Sequence, residues 1–239
     1  MRQFHVMLNL FQHPIRKTLK QVQGDVQFWL TAACCCLVLT SHAQEWTLKK
    51  EEDGIKIYTR LPEGAKFDEV RATMRVKTSL SAFTALLKDV PGYTEWAYNC
   101  VESKMVLAVC DTAQCYYTHT SLPWPASDRD QVFRSSLKQD TVTKVIRTNS
   151  VCVVDMVKEN DGIVRIKEGR TGWTLTPVSG GFVDVEYFAS INPGGSVPAW
   201  LVNSTIDMGP FNTLQKAREL LNGGKYKDAE FWFIKELEK

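Results

Sequence analysis

Between Cys100 and Ile191 the chain is almost entirely strand-length segments cut by turn residues. The segments fall near 101–110, 115–121, 131–138, 142–154, 163–176 and 182–191. Asp111-Thr112, a Pro-Trp-Pro stretch, Gln139-Asp140, Glu159-Asn-Asp-Gly162 and Ser179-Gly-Gly181 separate them. Strands joined by connections this short pair with their sequence neighbours, so the expected product is an antiparallel meander. The last segment shows the pattern best. Val183, Val185, Tyr187, Ala189 and Ile191 alternate with Asp184 and Glu186, so one face meets a core. A strongly curved sheet with its apolar faces on one side can enclose a helix and a hollow.

The flanks supply the helices. Residues 46–60 read as a strand pair turning at Glu52-Asp-Gly54, and Val70, Ala72, Met74 and Val76 alternate with polar neighbours. The period then changes. Thr78 or Ser79 can cap a helix whose stripe is Leu80, Phe83, Leu86, Leu87 and Val90, and Pro91-Gly92 stops it. A short helical turn over 93–99 carries Trp96. After the turn Asn192-Pro-Gly-Gly195, Ser196 and Pro198 can start a long helix running to about Leu221. Its expected stripe is Leu201, Ser204, Thr205, Met208, Phe211, Leu214 and Leu221, with Gly209-Pro210 bending it midway. Residues 223–239 form a charged amphipathic tail with Phe231-Trp-Phe233, expected as a last short surface helix. The fold class is therefore α+β.

Residues 1–43 stand apart. Arg16, Lys17 and Lys20 precede an apolar run, Phe28 to Leu39, ending in Ser41-His-Ala43. That order of basic flank, short apolar core and small residues predicts a signal peptide cut after Ala43, hence a secreted or periplasmic protein. The run is short of the ~20 residues a membrane span needs. A lipoprotein anchor at Cys34, Cys35 or Cys36 is the competing reading, and it would cut inside the apolar run. The expected organisation is a leader over 1–43, one domain over 44–222 and the tail. Cleavage takes Arg2, Arg16, Lys17, Lys20 and Asp25 from totals of 29 basic and 27 acidic residues, leaving a net charge near −1. Neither that balance nor the interleaving of signs suits nucleic acid. Of seven cysteines, Cys100, Cys110, Cys115 and Cys152 remain. Cys110 and Cys115 flank a hairpin loop, which makes them a candidate disulfide in an oxidising compartment.

Catalytic chemistry can be tested by subtraction. Past residue 43 the only histidine is His119, in a predicted strand, so any triad or histidine-based metal site would hang on it. No nucleophile elbow, phosphate-cradling loop or dinucleotide fingerprint is present. No cofactor or metal is expected. The stretch Leu122-Pro-Trp-Pro-Ala-Ser-Asp-Arg-Asp130 is the most constrained loop. Its prolines cannot join a central ladder, so 122–127 is a shaped loop at a sheet edge. Arg129 and Asp130 follow where a strand enters the core, and the expected arrangement is an ion pair between them.

This Pro-Trp-Pro-x-x-x-Arg-Asp string resembles the START domain, the steroidogenic-acute-regulatory-related lipid-transfer module of the Bet v 1-like, helix-grip superfamily, and in particular its secreted bacterial forms. Trp46-Thr-Leu-Lys-Lys, Gly54-Ile-Lys-Ile-Tyr-Thr-Arg60 and Glu95-Trp96 precede it in family order. Gly162-Ile-Val-Arg-Ile166, Trp173-Thr-Leu-Thr-Pro177 and Asn192-Pro-Gly-Gly-Ser-Val-Pro-Ala-Trp-Leu201 follow it. The resemblance implies a sheet wrapped round an apolar tunnel with the C-terminal helix as lid. It further implies non-catalytic binding, or transfer, of a lipid or other hydrophobic molecule by a monomer in transient contact with a membrane surface. Met105, Tyr117, Arg129, Asp130, Trp173, Tyr187, Leu201 and Met208 are the candidate ligand contacts. Trp124, Gly209 and Pro210 are the candidate gate. Two other classes stay open. One is a cyclase- or hydrolase-like enzyme on the same scaffold, using His119 or Asp130. The other is an envelope interaction module using the 231–233 aromatics.

Overall fold

The computed structural model describes residues 45–237. The expected leader, its cut after Ala43 and the anchor alternative lie outside them. Two antiparallel runs of strands make one sheet. The first is β1 (Thr47–Glu52), β2 (Ile55–Arg60) and β3 (Glu69–Lys77). The second is β4 (Cys100–Cys110), β5 (Ala113–Thr120), β6 (Arg129–Gln139), β7 (Ile146–Cys152), β9 (Glu168–Val178) and β10 (Phe182–Asn192). They join where β10 pairs with β3, giving the order β1-β2-β3-β10-β9-β7-β6-β5-β4. The short β8 (Val164–Arg165) runs parallel to the first residues of β6, which lie beyond the reach of β7.

Two segments are shorter than their residues suggest. The carboxylate of Asp140 accepts the N–H groups of Val142 and Thr143 at 3.0 and 2.7 Å, so the chain turns there and β7 starts only at Ile146. The stretch 163–176 breaks at Ile166-Lys167, between β8 and β9. The Cys110–Cys115 bridge is not formed. The hairpin turns on Asp111-Thr112, which sets Cys110 opposite Ala113 and Cys115 opposite Leu107, and all four described cysteines are free. A bulged register separates the two sulfurs that a simple loop count brings together.

Helices α1 (Leu80–Lys88), α2 (Tyr93–Trp96), α3 (Ala199–Thr205) and α4 (Met208–Asn222) pack on the concave face. Ser79 caps α1 by accepting the Ala82 N–H at 3.0 Å. The next two free amides, of Leu80 and Ser81, donate to the carboxylate of Glu236 at 3.0 and 2.8 Å. The tail is thus a strap, with no helix among its described residues. Ile234 is buried, Phe231 and Phe233 pack on the core, and Lys235 exchanges two hydrogen bonds with the Gln139 amide. Even the exposed Trp232 donates its indole N–H to Asp111. The 231–233 aromatics are therefore largely spent inside the molecule.

The single long C-terminal helix is two. It breaks at Ile206-Asp207, and Pro210 becomes the third residue of α4. In a first turn the missing proline N–H has no partner to lose, so the residue starts a rod instead of bending one. Phe211, Leu214, Ala217 and Leu221 of α4 are buried against the sheet and α1, while α3 has no buried residue. The solid part of the core is built from Leu80, Phe83, Leu86, Leu214, Ile146 and Leu175, all fully buried.

Candidate functional site

Beyond that solid core the sheet curves away from the helices and leaves a hollow of about 340 Å³. Strand alternation decides which side chains see it. On β5, Tyr116, Thr118 and Thr120 point in, and on β6 so do Gln131 and Phe133. Thr171 and Trp173 of β9 and Tyr187, Ala189 and Ile191 of β10 complete the wall. From the other side come Tyr93 and Trp96 of α2, with Val202, Ile206, Gly209, Pro210 and Thr213 as cover. Six aromatic rings form a chain through the wall. Tyr93 lies 4.9 Å from Trp96 and 5.3 Å from Tyr116, and Trp173 lies 4.7 Å from Tyr187, between ring centroids. Tilted and edge-to-face contacts of this kind hold rings rigidly without filling the space in front of them. Burial raises the Tyr116 phenol to about 12 and pushes Tyr187 up as well, so both stay neutral hydrogen-bond donors.

The convex face of the same strands carries a different site. Asp130 does not pair with Arg129. Neighbours on a strand point to opposite faces, and Asp130 instead receives a two-pronged bond from Arg165 of β8, at 2.7 and 3.0 Å. Tyr117 donates to the same carboxylate at 3.2 Å, and the carbonyls of Val157 and Lys158 accept two further Arg165 N–H groups. Burial alone would raise the Asp130 carboxyl; the Arg165 hydrogen bonds and charge more than reverse it, and the net shift is downward. The guanidinium of Arg129 is spent on the carbonyls of Ser127, Pro193 and Gly194. It ties the end of the 122–128 loop to the turn that precedes α3. His119 bonds Asp128 at 2.8 Å, and Asp128 also accepts the Leu122 N–H at 3.0 Å. The leading cause of its lowered carboxyl is that backbone bond, followed by His119. These residues brace loops.

Of the expected ligand contacts, the structure brings Trp173 and Tyr187 to the hollow, together with Gly209 and Pro210 of the gate. Tyr117, Arg129 and Asp130 are buried but are not part of its lining. Met105 stands on the edge strand β4 and is 40 % exposed, while Leu201 and Met208 face solvent. Trp124 is 92 % exposed on its loop. Sequence reasoning missed Tyr116, Gln131, Val202 and Ile206. A signal for the last two exists: Val202, Ile206 and Pro210 recur every four residues, one position round from Leu201 and Thr205 of the expected stripe.

The START domain family matches residues 15–225, most of the sequence. The chain belongs to this family. An uncharacterised protein of Pseudomonas aeruginosa is 31 % identical over 189 residues, covering 79 % of this chain and 93 % of the relative. The human phosphatidylcholine transfer protein is 26 % identical over 203 residues, 80 % of this chain and 90 % of that one. Among solved structures, a STAR-related lipid transfer protein of Xanthomonas axonopodis superposes with a TM-score of 0.69 at 34 % identity, over 74 % of this chain and 98 % of its own. The human StAR-related lipid transfer protein 5, at 18 % identity, shares the fold with a TM-score of 0.65, over 85 % of this chain and 98 % of its own. These relatives support lipid binding or transfer as the general function of the START chain described here. Those with a named function are named as lipid-transfer proteins. Among the described residues, no group of three or more His, Cys, Asp or Glu is placed to hold a metal.

Proposed function

We propose that this START protein encloses one hydrophobic guest, a lipid or lipid-like molecule, and that α3 and the 122–130 loop move to admit and release it. The observation that carries the reading is an aromatic-walled hollow whose cover, α3, has no buried residue of its own. The physics asks for such a shelter. Each methylene withdrawn from water is worth ~0.8 kcal/mol, so a soluble carrier must enclose a chain and must also be able to open. Arg129 links the loop and the turn before α3, which lets the two move as one gate. The exposed indoles of Trp124 and Trp200 suit a transient landing on a membrane interface. Release of residues 1–43 would set the protein to work outside the cytoplasm, as a monomer.

Native mass spectrometry of the gently purified protein tests the carriage. A co-purifying lipid of defined mass is expected, and a bromine-labelled chain that displaces it should quench Trp96 and Trp173. Protein that holds no lipid and shows no quenching ends the proposal. The leader has its own test: the mature N-terminus from the producing cell is expected at Gln44, and an uncut cytosolic chain would refute secretion.

A further inference from the structure

The neck of the 122–128 loop closes on one carboxylate. Asp128 accepts the Leu122 N–H at 3.0 Å, the Ser121 hydroxyl at 3.2 Å and a bond from Nε2 of His119 at 2.8 Å, so it ties both ends of the loop to β5. His119 is the only histidine past residue 43. An ionised carboxylate can only accept, so a neutral His119 keeps its proton on Nε2 and leaves Nδ1 bare. Nδ1 has no partner among the described residues and is not buried, on a side chain that is 16 % exposed. Water can therefore bring it a second proton.

The charges around this imidazole are unequally served. Residues directly opposite on neighbouring strands share a face, which sets Glu102 of β4 and Asp130 of β6 on either side of His119. Each has a cation of its own. Lys104 bonds Glu102 at 2.7 Å, and Arg165 of β8 holds Asp130 with two prongs. Arg129, next to Asp128 in the chain, is spent on three carbonyls. Asp128 is thus the one carboxylate of the three with no permanent cation bonded to it among the described residues. Only His119 can become that cation. The Leu122 N–H, and after it His119, hold the Asp128 carboxyl below its ordinary range. Burial pushes the Cys100 thiol and the Tyr117 phenol, the other titratable neighbours, upward. None of these three changes charge between about pH 5 and 8, the window in which imidazoles as a class titrate.

We propose that His119 is an acid latch on the loop: a proton taken up at Nδ1 turns its bond to Asp128 into an ion pair, which tightens the neck and retains the guest. Loss of that proton leaves a neutral bond and frees the loop to swing. Charge-assisted hydrogen bonds are about twice as strong as neutral ones, and the difference falls on the opening step. This inference rests on the carrier reading, with the loop as a moving part, and adds what controls the movement.

Release of a pyrene-labelled long-chain alcohol to phosphatidylcholine vesicles tests the latch, because neither the probe nor the acceptor changes charge in the window. From the unaltered protein, release is expected to be about three- to tenfold slower at about pH 5.5 than at about pH 8. His119→Gln, which keeps a neutral donor, is expected to release at the faster rate at both values. Asp128→Asn, which keeps an acceptor for Leu122 and removes the charge, is the second variant should His119→Gln fold poorly, and the same flat profile is expected. Release that does not vary with pH in the unaltered protein, or that varies as much in both variants, overturns the latch and leaves the carrier standing. A protein that takes up no probe at either pH brings down the carrier with the inference.

Discussion

The hollow has two boundaries built to opposite specifications. Its wall is fixed from behind and its cover is not. Behind β5 and β6 sits the Asp130–Arg165–Tyr117 cluster, with every Arg165 nitrogen bonded and both ionic groups almost wholly buried. At the far end α4 sinks four residues into the core. Between them α3 rests on the opening with none of its seven residues buried, held by Arg129 at the turn before it and by Asn203. A cavity that must open without the protein unfolding needs this asymmetry, because low local stability in one element spares the rest. On the proposed gating, the wall would keep the shape that selects a guest, and the cover would set how fast it leaves.

The largest expected effect is on the wall. Asp130→Asn leaves the Arg165 guanidinium buried without its counter-charge, and a loss of roughly 3–5 kcal/mol in unfolding free energy is expected from urea titration. The pH dependence carries the same signature. Asp130 titrates lower in the folded protein than in the unfolded chain, where a value of ~3.9 applies. Its contribution is therefore present above that value and is lost as pH falls through the lower folded one. Glu69, also buried and bonded to Arg60 and Arg170, adds to the same acid limb, so Asp130→Asn flattens the limb without abolishing it. A loss below about 1 kcal/mol would put the pair among ordinary surface bridges and leave the wall unbraced.

Next comes the contrast between the two halves of the C-terminal segment. Leu214→Ala in α4 removes a fully buried side chain and is expected to cost roughly 2–5 kcal/mol. Val202→Ala in α3, at a half-buried lining position, is expected to cost under about 1 kcal/mol while changing guest affinity. Matched losses in the two variants would erase the distinction between anchor and cover.

How much of this was legible beforehand follows from what each signal encodes. The alternation of Val70, Ala72, Met74 and Val76 and the stripe from Leu80 to Val90 placed their elements correctly, because burial on one face writes itself into spacing. The hollow resisted for the same reason. A residue lining a cavity looks like a core residue, and one step of register exchanges Tyr116 for Tyr117 and Gln131 for Asp130. The partner of Asp130 was hidden further still, since Arg165 arrives on a two-residue parallel strand with no periodicity to announce it. The break at Ile206-Asp207 was announced by Gly209-Pro210, but as a bend in one helix, because the rule that proline disrupts a helix interior also lets it begin one. The tail misled because Phe231, Phe233 and Ile234 face inward along a strap, a geometry that helical spacing does not describe.

The smallest expected change in stability is the most informative about the cover. The Asn203 side chain joins α3 to the β2–β3 connection: its Oδ1 accepts the Asp68 N–H at 3.1 Å and its Nδ2 donates to the Lys66 carbonyl at 3.4 Å. Asn203→Ala removes both bonds but keeps the one from Lys49 to the residue 203 carbonyl. Partly exposed bonds of this kind are worth about 1 kcal/mol net or less, so the urea midpoint should scarcely move. Opening is another matter. If α3 must leave the β2–β3 connection before a guest can exit, the barrier falls by what those bonds contributed, and release of a fluorescent lipid to acceptor vesicles accelerates by up to about fivefold. An unchanged release rate beside an unchanged midpoint would place the moving part in the 122–130 loop alone, and α3 would then belong with the wall.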